Sequence, residues 1–413
     1  MERLKNLKTL TVVTIFGFAS GLPLPFVSGT FQAWLTAEGV DIKTIGILTA
    51  LTLPYSVKFL WSPFLDRYVI SPFGRRRGWI LLSQVLIFAG IVSMVMITPE
   101  NLLLLSIVAL TVAFFSASQD IAIDAYRTEI LSPKDRGIGA SFAVTAYRVA
   151  LIVAGGLCLL LADYIGWKYA ITATASLLVL GLLASLWADE PKGVQHPRNL
   201  KESFIEPFRD LLHREKSFIL LLFIILYKLG DAYAGSLSTA FFIRGVGFSL
   251  SEVGTVNKIG GLVSSIVGAV FAGFLLKKMS LFKALIYFGA LQAISNLMFM
   301  VLAIIGKSMP LFMATVVIEN FTGGMGTTAF LALLMAICNR SYAATQYALL
   351  SSLASVGRVI ITPTSGFVVD AFGWSIFYLL TFFVALPGLL LIFRLKTIIL
   401  PLSCHTKPDG AKF

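Results

Sequence analysis

Leu102-Leu-Leu-Leu-Ser-Ile-Val-Ala-Leu-Thr-Val-Ala-Phe-Phe-Ser-Ala-Ser-Gln-Asp-Ile-Ala-Ile-Asp124 is the stretch whose reading decides the fold class. From Leu102 to Gln119 it carries no charge, and as a helix rising about 1.5 Å per residue it nearly spans the roughly 30 Å of a bilayer's hydrocarbon. A soluble core helix is apolar on one stripe, whereas this run is apolar all round. Comparable runs recur along the whole chain. Of 413 residues, 57% are hydrophobic and 13% charged, against about 25% charged in a soluble domain. The bilayer is therefore the solvent, and a water-soluble protein or enzyme is excluded.

Breaking the sequence at its polar gaps predicts an all-α membrane protein of twelve helices, near 9–36, 44–64, 78–97, 101–131, 137–162, 167–187, 216–243, 252–276, 282–304, 310–338, 344–371 and 374–396. The apolar part of the first runs from the basic start through Gly21 and Pro23 to Trp34, too long for a cleaved signal peptide. With both termini cytoplasmic, only Lys43, Lys168, Arg244 and Lys307 of the 33 Lys and Arg fall in gaps on the outer side, which fixes orientation in a bacterial inner membrane. The net charge of +12 thus reports topology, not nucleic-acid binding. Cys158, Cys338 and Cys404 are scattered and odd in number, which argues against a disulfide scaffold or metal site. The longest polar segment, Asp189 to Lys216, divides the chain into a six-helix bundle over 1–188, a cytoplasmic linker over 189–215, a second bundle over 216–397 and a tail over 398–413.

Two internal matches support this division. Gly39-Val-Asp-Ile-Lys-Thr-Ile-Gly46 after helix 1 parallels Gly247-Phe-Ser-Leu-Ser-Glu-Val-Gly254 after helix 7. Arg148-Val149 with Gly156 parallels Arg358-Val359 with Gly366, and each of those segments ends in Gly-Trp, at 166–167 and 373–374. Both equivalences skip six helices, as an internal repeat of a secondary transporter does.

Nine ionisable residues fall inside apolar spans: Lys58, Asp120, Asp124, Arg148, Lys228, Asp231, Lys258, Glu319 and Arg358. Each costs roughly 2.5–3.5 kcal/mol at a helix centre, so they must face one another or a wet chamber between the bundles. Asp120 and Asp124 share one helical face about 6 Å apart along the axis. Burial and a neighbouring negative charge both favour the protonated carboxyl, so the pair suits proton coupling; the alternative is permanent neutralisation by Lys58 or Arg148. Lys58 and Arg148 lie at a similar depth and are candidates to hold anionic groups of a ligand. Gln32, Gln119, Tyr55, Tyr126 and Tyr147 add polar edges and flat faces of the kind a sugar or peptide needs, and Asp231, Glu319 and Arg358 are the second-half candidates. Lys228 and Asp231, three apart, are equally consistent with a structural ion pair. Trp34 and Trp61, near helix ends, are expected in the interfacial aromatic belt. Pro23, Pro25, Pro54, Pro363 and Pro387 should kink their helices, and Gly155, Gly156, Gly260, Gly261 and Gly268 should let helices approach closely. The sequence contains no Walker loop, nucleotide fold or paired metal-ligand motif, so neither ATP nor a cofactor is expected and a proton gradient remains as the energy source.

Asp66-Arg67-Tyr68 followed by Gly74-Arg75-Arg76-Arg77, between helices 2 and 3, resembles the loop signature of the major facilitator superfamily. Ser62 replaces its first glycine and the loop is longer than usual. The resemblance implies a gating role for Asp66, Arg67, Arg75 and Arg76, pairing charges at the cytoplasmic face in the outward-open state.

Four stretches are more specific: Gly17-Phe-Ala-Ser-Gly-Leu-Pro23 running on to Gln32-Ala-Trp-Leu35; Leu53-Pro-Tyr-Ser-Val-Lys-Phe-Leu-Trp-Ser-Pro63 with Asp66-Arg67; Gly74-Arg-Arg-Arg-Gly-Trp79; and Ser118-Gln-Asp-Ile-Ala-Ile-Asp-Ala-Tyr126. They resemble the AmpG muropeptide permeases of that superfamily over helices 1 to 5; the second half resembles them in hydropathy and length. The resemblance implies proton-coupled uptake of peptidoglycan fragments, N-acetylglucosaminyl-1,6-anhydro-N-acetylmuramic acid with or without stem peptide, from periplasm to cytoplasm; the expected partners are that muropeptide, protons and the lipid bilayer, with the protein a monomer. It maps the family's paired aspartates onto Asp120 and Asp124 and its helix 2 lysine onto Lys58. Some family members carry helices beyond twelve, for which this chain has no room. Acetyl-coenzyme A transporters, which share a similar Gln-Asp-Ile-Ala segment, and other sugar or peptide carriers are the alternatives.

Overall fold

In hydrocarbon a backbone amide finds no water, so a spanning segment must satisfy its hydrogen bonds internally, as a helix does. The computed structural model describes residues 2–40, 44, 47–70, 72–191 and 199–402, with the side chains of 2–5, 49, 250, 251, 258, 358 and 359 excepted. Among them ten helices are long and apolar enough to cross a membrane, and the last, Arg340–Arg394, runs for 55 residues. That length accommodates two crossings, because Gly373 (φ 77°) breaks the helix inside it. The remaining span covers residues 47–67 and is broken, as the kink expected at Pro54 implies. It is a chain of short pieces, Thr49–Thr52, Leu53–Val57, Lys58–Leu60 and Ser62–Arg67, because Pro54 and Pro63 lack the amides that would extend the preceding turn and instead start new ones. Twelve spans follow, in the arrangement of the major facilitator fold.

The first span is likewise divided, into Glu2–Gly21, Pro23–Phe26 and Gly29–Ala37, as Pro23 and Pro25 predict. Pro387 behaves differently: Ser365–Arg394 runs through it, with Gly373 its one non-helical residue. The repeat is visible in the backbone. Gly39 and Gly247 (φ 78° and 85°) terminate equivalent helices, and Gly166 and Gly373 (φ 80° and 77°) turn the chain at equivalent Gly-Trp steps; only glycine enters that left-handed region freely. Four residues beyond Arg148 the fifth span passes into a π-helical segment, Ile152–Leu157, and four beyond Arg358 the eleventh passes into a 3-10 turn, Thr362–Thr364. Of the repeat segment 39–46, residues 41–43, 45 and 46 lie outside the described residues.

The chain divides into two units, one of residues 1–131, 142–209 and 338–352 and the other of 132–141, 210–337 and 353–413. In the first, the Gly17-x-x-x-Gly21 pair brings spans 1 and 5 together: a Cβ at either glycine would lie within 2.7 Å of a backbone carbonyl, of Ala143 or Tyr147. Its core joins Phe26, Phe31, Trp34, Ile87, Ile91 and Val112. Trp34 is 5% exposed, with its indole N–H on Glu38; it is a core residue and not the belt residue expected, because the break after Phe26 turns this piece of helix inward. Trp61 is half-buried, donating to Ser118 Oγ at 2.9 Å and lying 4.8 Å from the Phe114 ring.

The second unit is held by rings, with Tyr378 4.8 Å from Phe241 and 4.7 Å from Phe299, and Phe312 4.6 Å from Phe242. Spans 8 and 10 cross closely at Gly268 and Gly324, whose added Cβ atoms would meet the carbonyls of Phe321 and Ser265. Gly155 and Gly156 have nothing within 4 Å, so they do not pack helices; they fall in the π-helical turn. Exposed side chains such as Leu103, Leu160, Val267 and Phe383 present the apolar surface that lipid covers.

Candidate functional site

The fourth span, Leu102–Ile130, starts at an Asn101 cap whose side-chain Oδ1 accepts the Leu104 amide. It remains helical to its end, so Ser116, Asp120, Asp124 and Arg127 fall on one stripe. Asp120 Oδ1 accepts the Ser20 hydroxyl at 2.5 Å. Ser20 stands one residue before the break in span 1, held beside the stripe by the Gly17 and Gly21 packing. Asp124 faces cations: Arg127 Nη2 donates to its Oδ1 at 2.6 Å, and Lys58 Nζ lies 3.6 Å from its Oδ2. Lys58, 8% exposed, enters from the 3-10 turn Lys58–Leu60 of the broken second span. The same Arg127 nitrogen donates to the Tyr347 hydroxyl at 2.8 Å, and the guanidinium sits 5.6 Å from that ring's centre.

The structure thus joins Asp120, Asp124 and Lys58 as expected and adds Ser20, Arg127 and Tyr347. Among the described residues both amide atoms of Gln119 are buried with no hydrogen-bond partner, which leaves polar atoms near the pair that are not committed to holding the fold. Tyr126 is on another face, 1% exposed and edge-on to Phe16 at 5.2 Å, a packing position. Tyr147 and Arg148 are half-buried on Arg136–Leu151, and Gln32 is half-buried on Gly29–Ala37, beyond the break in span 1.

In the second unit Lys228 and Asp231 form an ion pair at 3.1 Å, with Lys228 also on Gln292 Oε1 at 3.2 Å. Glu319 accepts the Asn320 amide at 2.7 Å. The side chains of Arg358 and Lys258 lie outside the described residues.

A second constellation lies in the first unit, built on Asp66, Arg75 and Arg76, all buried. Arg76 Nη2 meets Asp66 Oδ1 at 2.6 Å and Glu129 Oε1 at 2.5 Å, and Arg75 Nη2 meets Glu129 Oε1 at 2.9 Å. Two guanidiniums thus face two carboxylates, which offsets the desolvation a buried charge suffers. Asp66 further accepts the backbone amides of Ala344 (3.2 Å) and Thr345 (2.8 Å) and the Thr345 hydroxyl (2.7 Å), at the start of the helix Ala343–Ile361 where free amides favour an anion. Glu190 caps Arg75–Met94 in the same way, taking the amides of Arg76 and Arg77 at 2.8 and 3.1 Å. Arg67 stays out of the cluster, half-buried with its guanidinium 5.9 Å from the Tyr68 ring centre.

Sequence reasoning missed Arg127, Glu129, Glu190, Ser20 and Tyr347. Arg127 and Glu129 sit at the C-terminal end of span 4, where charges read as topology signals; the spacing of Arg127, three residues after Asp124, was the clue.

The Major Facilitator Superfamily model matches residues 7–348. The anhydromuropeptide permease of Escherichia coli K12 is 48% identical over 384 residues, covering 92% of this chain and 78% of that protein. A putative transporter, AmpG 4, of Rickettsia conorii is 32% identical over 93% and 96% of the two chains. Among solved structures, the Escherichia coli fucose:proton symporter FucP aligns with a TM-score of 0.69 at 16% identity, over 95% of this chain and 98% of that one. The human organic anion transporter MFSD10 aligns with 0.69 at 14%, over 93% and 99%.

Proposed function

Since the chain belongs to the major facilitator superfamily and, within it, to the AmpG-type permeases, we propose that it carries anhydromuropeptides from periplasm to cytoplasm together with protons. It is a carrier and not an enzyme. The observation that carries the substrate reading is the 48% identity to a protein named an anhydromuropeptide permease over 92% of this chain. Coupling rests on the carboxylate pair. Asp124 is engaged by Arg127 and Lys58, whereas Asp120 takes only a hydroxyl among the contacts described above. Proton carriage is therefore assigned to Asp120, and Asp124 is the anchor through which Arg127 and Lys58 are held until an anionic substrate group competes for them. Gln119 and Tyr55 supply hydrogen bonds to sugar or peptide. In this reading the protein works as a monomer in the inner membrane with both termini cytoplasmic, its two six-helix halves rock to alternate access, and the Asp66, Arg75 and Arg76 cluster closes the cytoplasmic side.

Purified protein reconstituted into liposomes is to be offered labelled anhydromuropeptide or labelled acetyl-coenzyme A, with and without an inward proton gradient. Anhydromuropeptide should accumulate only with the gradient, and an uncoupler should abolish accumulation. Uptake of acetyl-coenzyme A instead would overturn the substrate, and accumulation indifferent to the gradient would overturn the coupling.

A further inference from the structure

The second unit contains a cavity of about 460 Å³ that plays no part in the site above. Lys134, Arg136 and Lys277 bring three cations to its wall against the one carboxylate of Asp135, which already accepts the Ser132 hydroxyl at 2.6 Å. The same lining carries apolar side chains, Leu276, Leu281 and Ala336 among them. Every lining segment is a span end: the turn between spans 4 and 5, the turn between spans 8 and 9, the last turn of span 10 and the chain after span 12. Counted along an alternating path, all of these ends fall on one side, the side the Lys and Arg distribution assigns to the cytoplasm. Two glycines hold the wall in place: a Cβ at Gly137 would lie 2.6 Å from that of Leu276, and one at Gly273 would lie 2.4 Å from that of Ser141. The helix Arg136–Leu151 begins at the cavity and adds the positive end of its dipole.

A lining that combines net positive charge with apolar side chains, at the depth where span ends meet water, suits an anionic amphiphile. We propose that this cavity binds the phosphate headgroup of an anionic phospholipid of the cytoplasmic leaflet, with Lys134, Arg136 and Lys277 on the phosphate and the apolar side chains against the first carbons of the acyl chains. Free phosphate would satisfy the cations but leave the apolar side chains bare. The proposal is independent of what the protein transports.

The test is native mass spectrometry of the full chain in detergent with phosphatidylglycerol, phosphatidylcholine or inorganic phosphate added, paired with thermal melts. Phosphatidylglycerol should be retained over phosphatidylcholine and should raise the melting midpoint. Lys134→Gln, Arg136→Gln and Lys277→Gln should each weaken retention about fivefold, Lys277→Arg should restore it, and Lys278→Gln, one residue outside the lining, should leave it unchanged. Equal retention of the two lipids by the parent protein would overturn the proposal, even if the charge variants fail to fold. So would a folded triple variant that keeps its lipid, or inorganic phosphate that protects as well as phosphatidylglycerol does.

Discussion

Arg127 Nη2 donates to Asp124 Oδ1 at 2.6 Å from one turn further along the same helix, and the same nitrogen reaches the Tyr347 hydroxyl at 2.8 Å. Among the described residues, removing the arginine leaves Asp124 with Lys58 at 3.6 Å as its cation, whereas removing the carboxylate strips both cations of their common partner. Asp124→Asn should therefore slow uptake more than Arg127→Gln, with each losing about tenfold or more. The double variant should fall short of additivity by a coupling of about 1–3 kcal/mol. Initial uptake rates in proteoliposomes measure all three, and strictly additive losses would show that the pair does not act together.

Asp120 is the carboxyl assigned to the proton, and Asp120→Asn fixes it in a neutral form. Substrate counterflow, which needs no net proton movement, should survive in this variant, while accumulation driven by an acid exterior should disappear. Ser20→Ala removes the 2.5 Å hydroxyl contact and should shift the external pH at which accumulation is half-maximal without abolishing it. A normal gradient response in Asp120→Asn would return the proton to another group.

Glu129→Gln removes one of two carboxylates from a cluster in which Arg75 and Arg76 are 3% and 0% exposed. Leaving a buried guanidinium short of its partner should cost about 3–5 kcal/mol, visible as a large drop in melting temperature in detergent. Arg67→Gln, on the half-buried arginine beside Tyr68, should cost within about 0.5 kcal/mol. Equal destabilisation by the two would contradict the division of the loop into buried cluster and peripheral charge.

How much of this was legible in the sequence depends on how far each signal reaches along the chain. Asp120 and Asp124 stood out because the eighteen residues before them, Leu102 to Gln119, carry no charge, and the breaks in spans 1 and 2 because proline announces itself. Arg127 hid among the charges that gather at helix ends, and its tie to Tyr347 joins residues 220 positions apart, which no local pattern encodes. Trp34 was misplaced for a related reason. Its position near a helix end was read correctly, but the turn introduced after Phe26 decides which way that end points. The glycines divide similarly: Gly268 packs against a neighbouring carbonyl while Gly155 faces open space, and the sequence around each is equally apolar.

Gly17→Leu must place its Cβ 2.7 Å from the Ala143 carbonyl oxygen, and backbone cannot yield as a side chain can. It should destabilise by about 1–3 kcal/mol and reduce uptake by displacing Ser20, whereas Gly155→Ala, with nothing within 4 Å, should stay within about 0.5 kcal/mol of the parent. Thermal melts of the two variants compare them directly.

Outside the spans, Glu252 accepts the Ser249 amide at 2.6 Å while the Ser249 hydroxyl accepts the Glu252 amide at 3.2 Å, a reciprocal cap at the start of Leu250–Val253. The amide and hydroxyl of Ser249, with help from Lys307, hold its carboxyl below the ordinary value of 4.5. A lowered folded value means that the cap contributes fully above about pH 4.5 and is lost as pH falls through the folded value. Hydrogen exchange at this turn, corrected for intrinsic rates, should accelerate only below that pH, and Glu252→Gln should remove the inflection.

Span 4 is an unbroken helix from Leu102 to Ile130, and it carries Asp124 and Glu129 only five residues, or about 7.5 Å, apart. A rod that stiff cannot tilt at one of these positions and stay still at the other. The carboxylate proposed to meet the substrate's competing charge and the carboxylate of the Arg75 and Arg76 cluster are therefore set on a single lever, with the proline-free helix itself as the linkage.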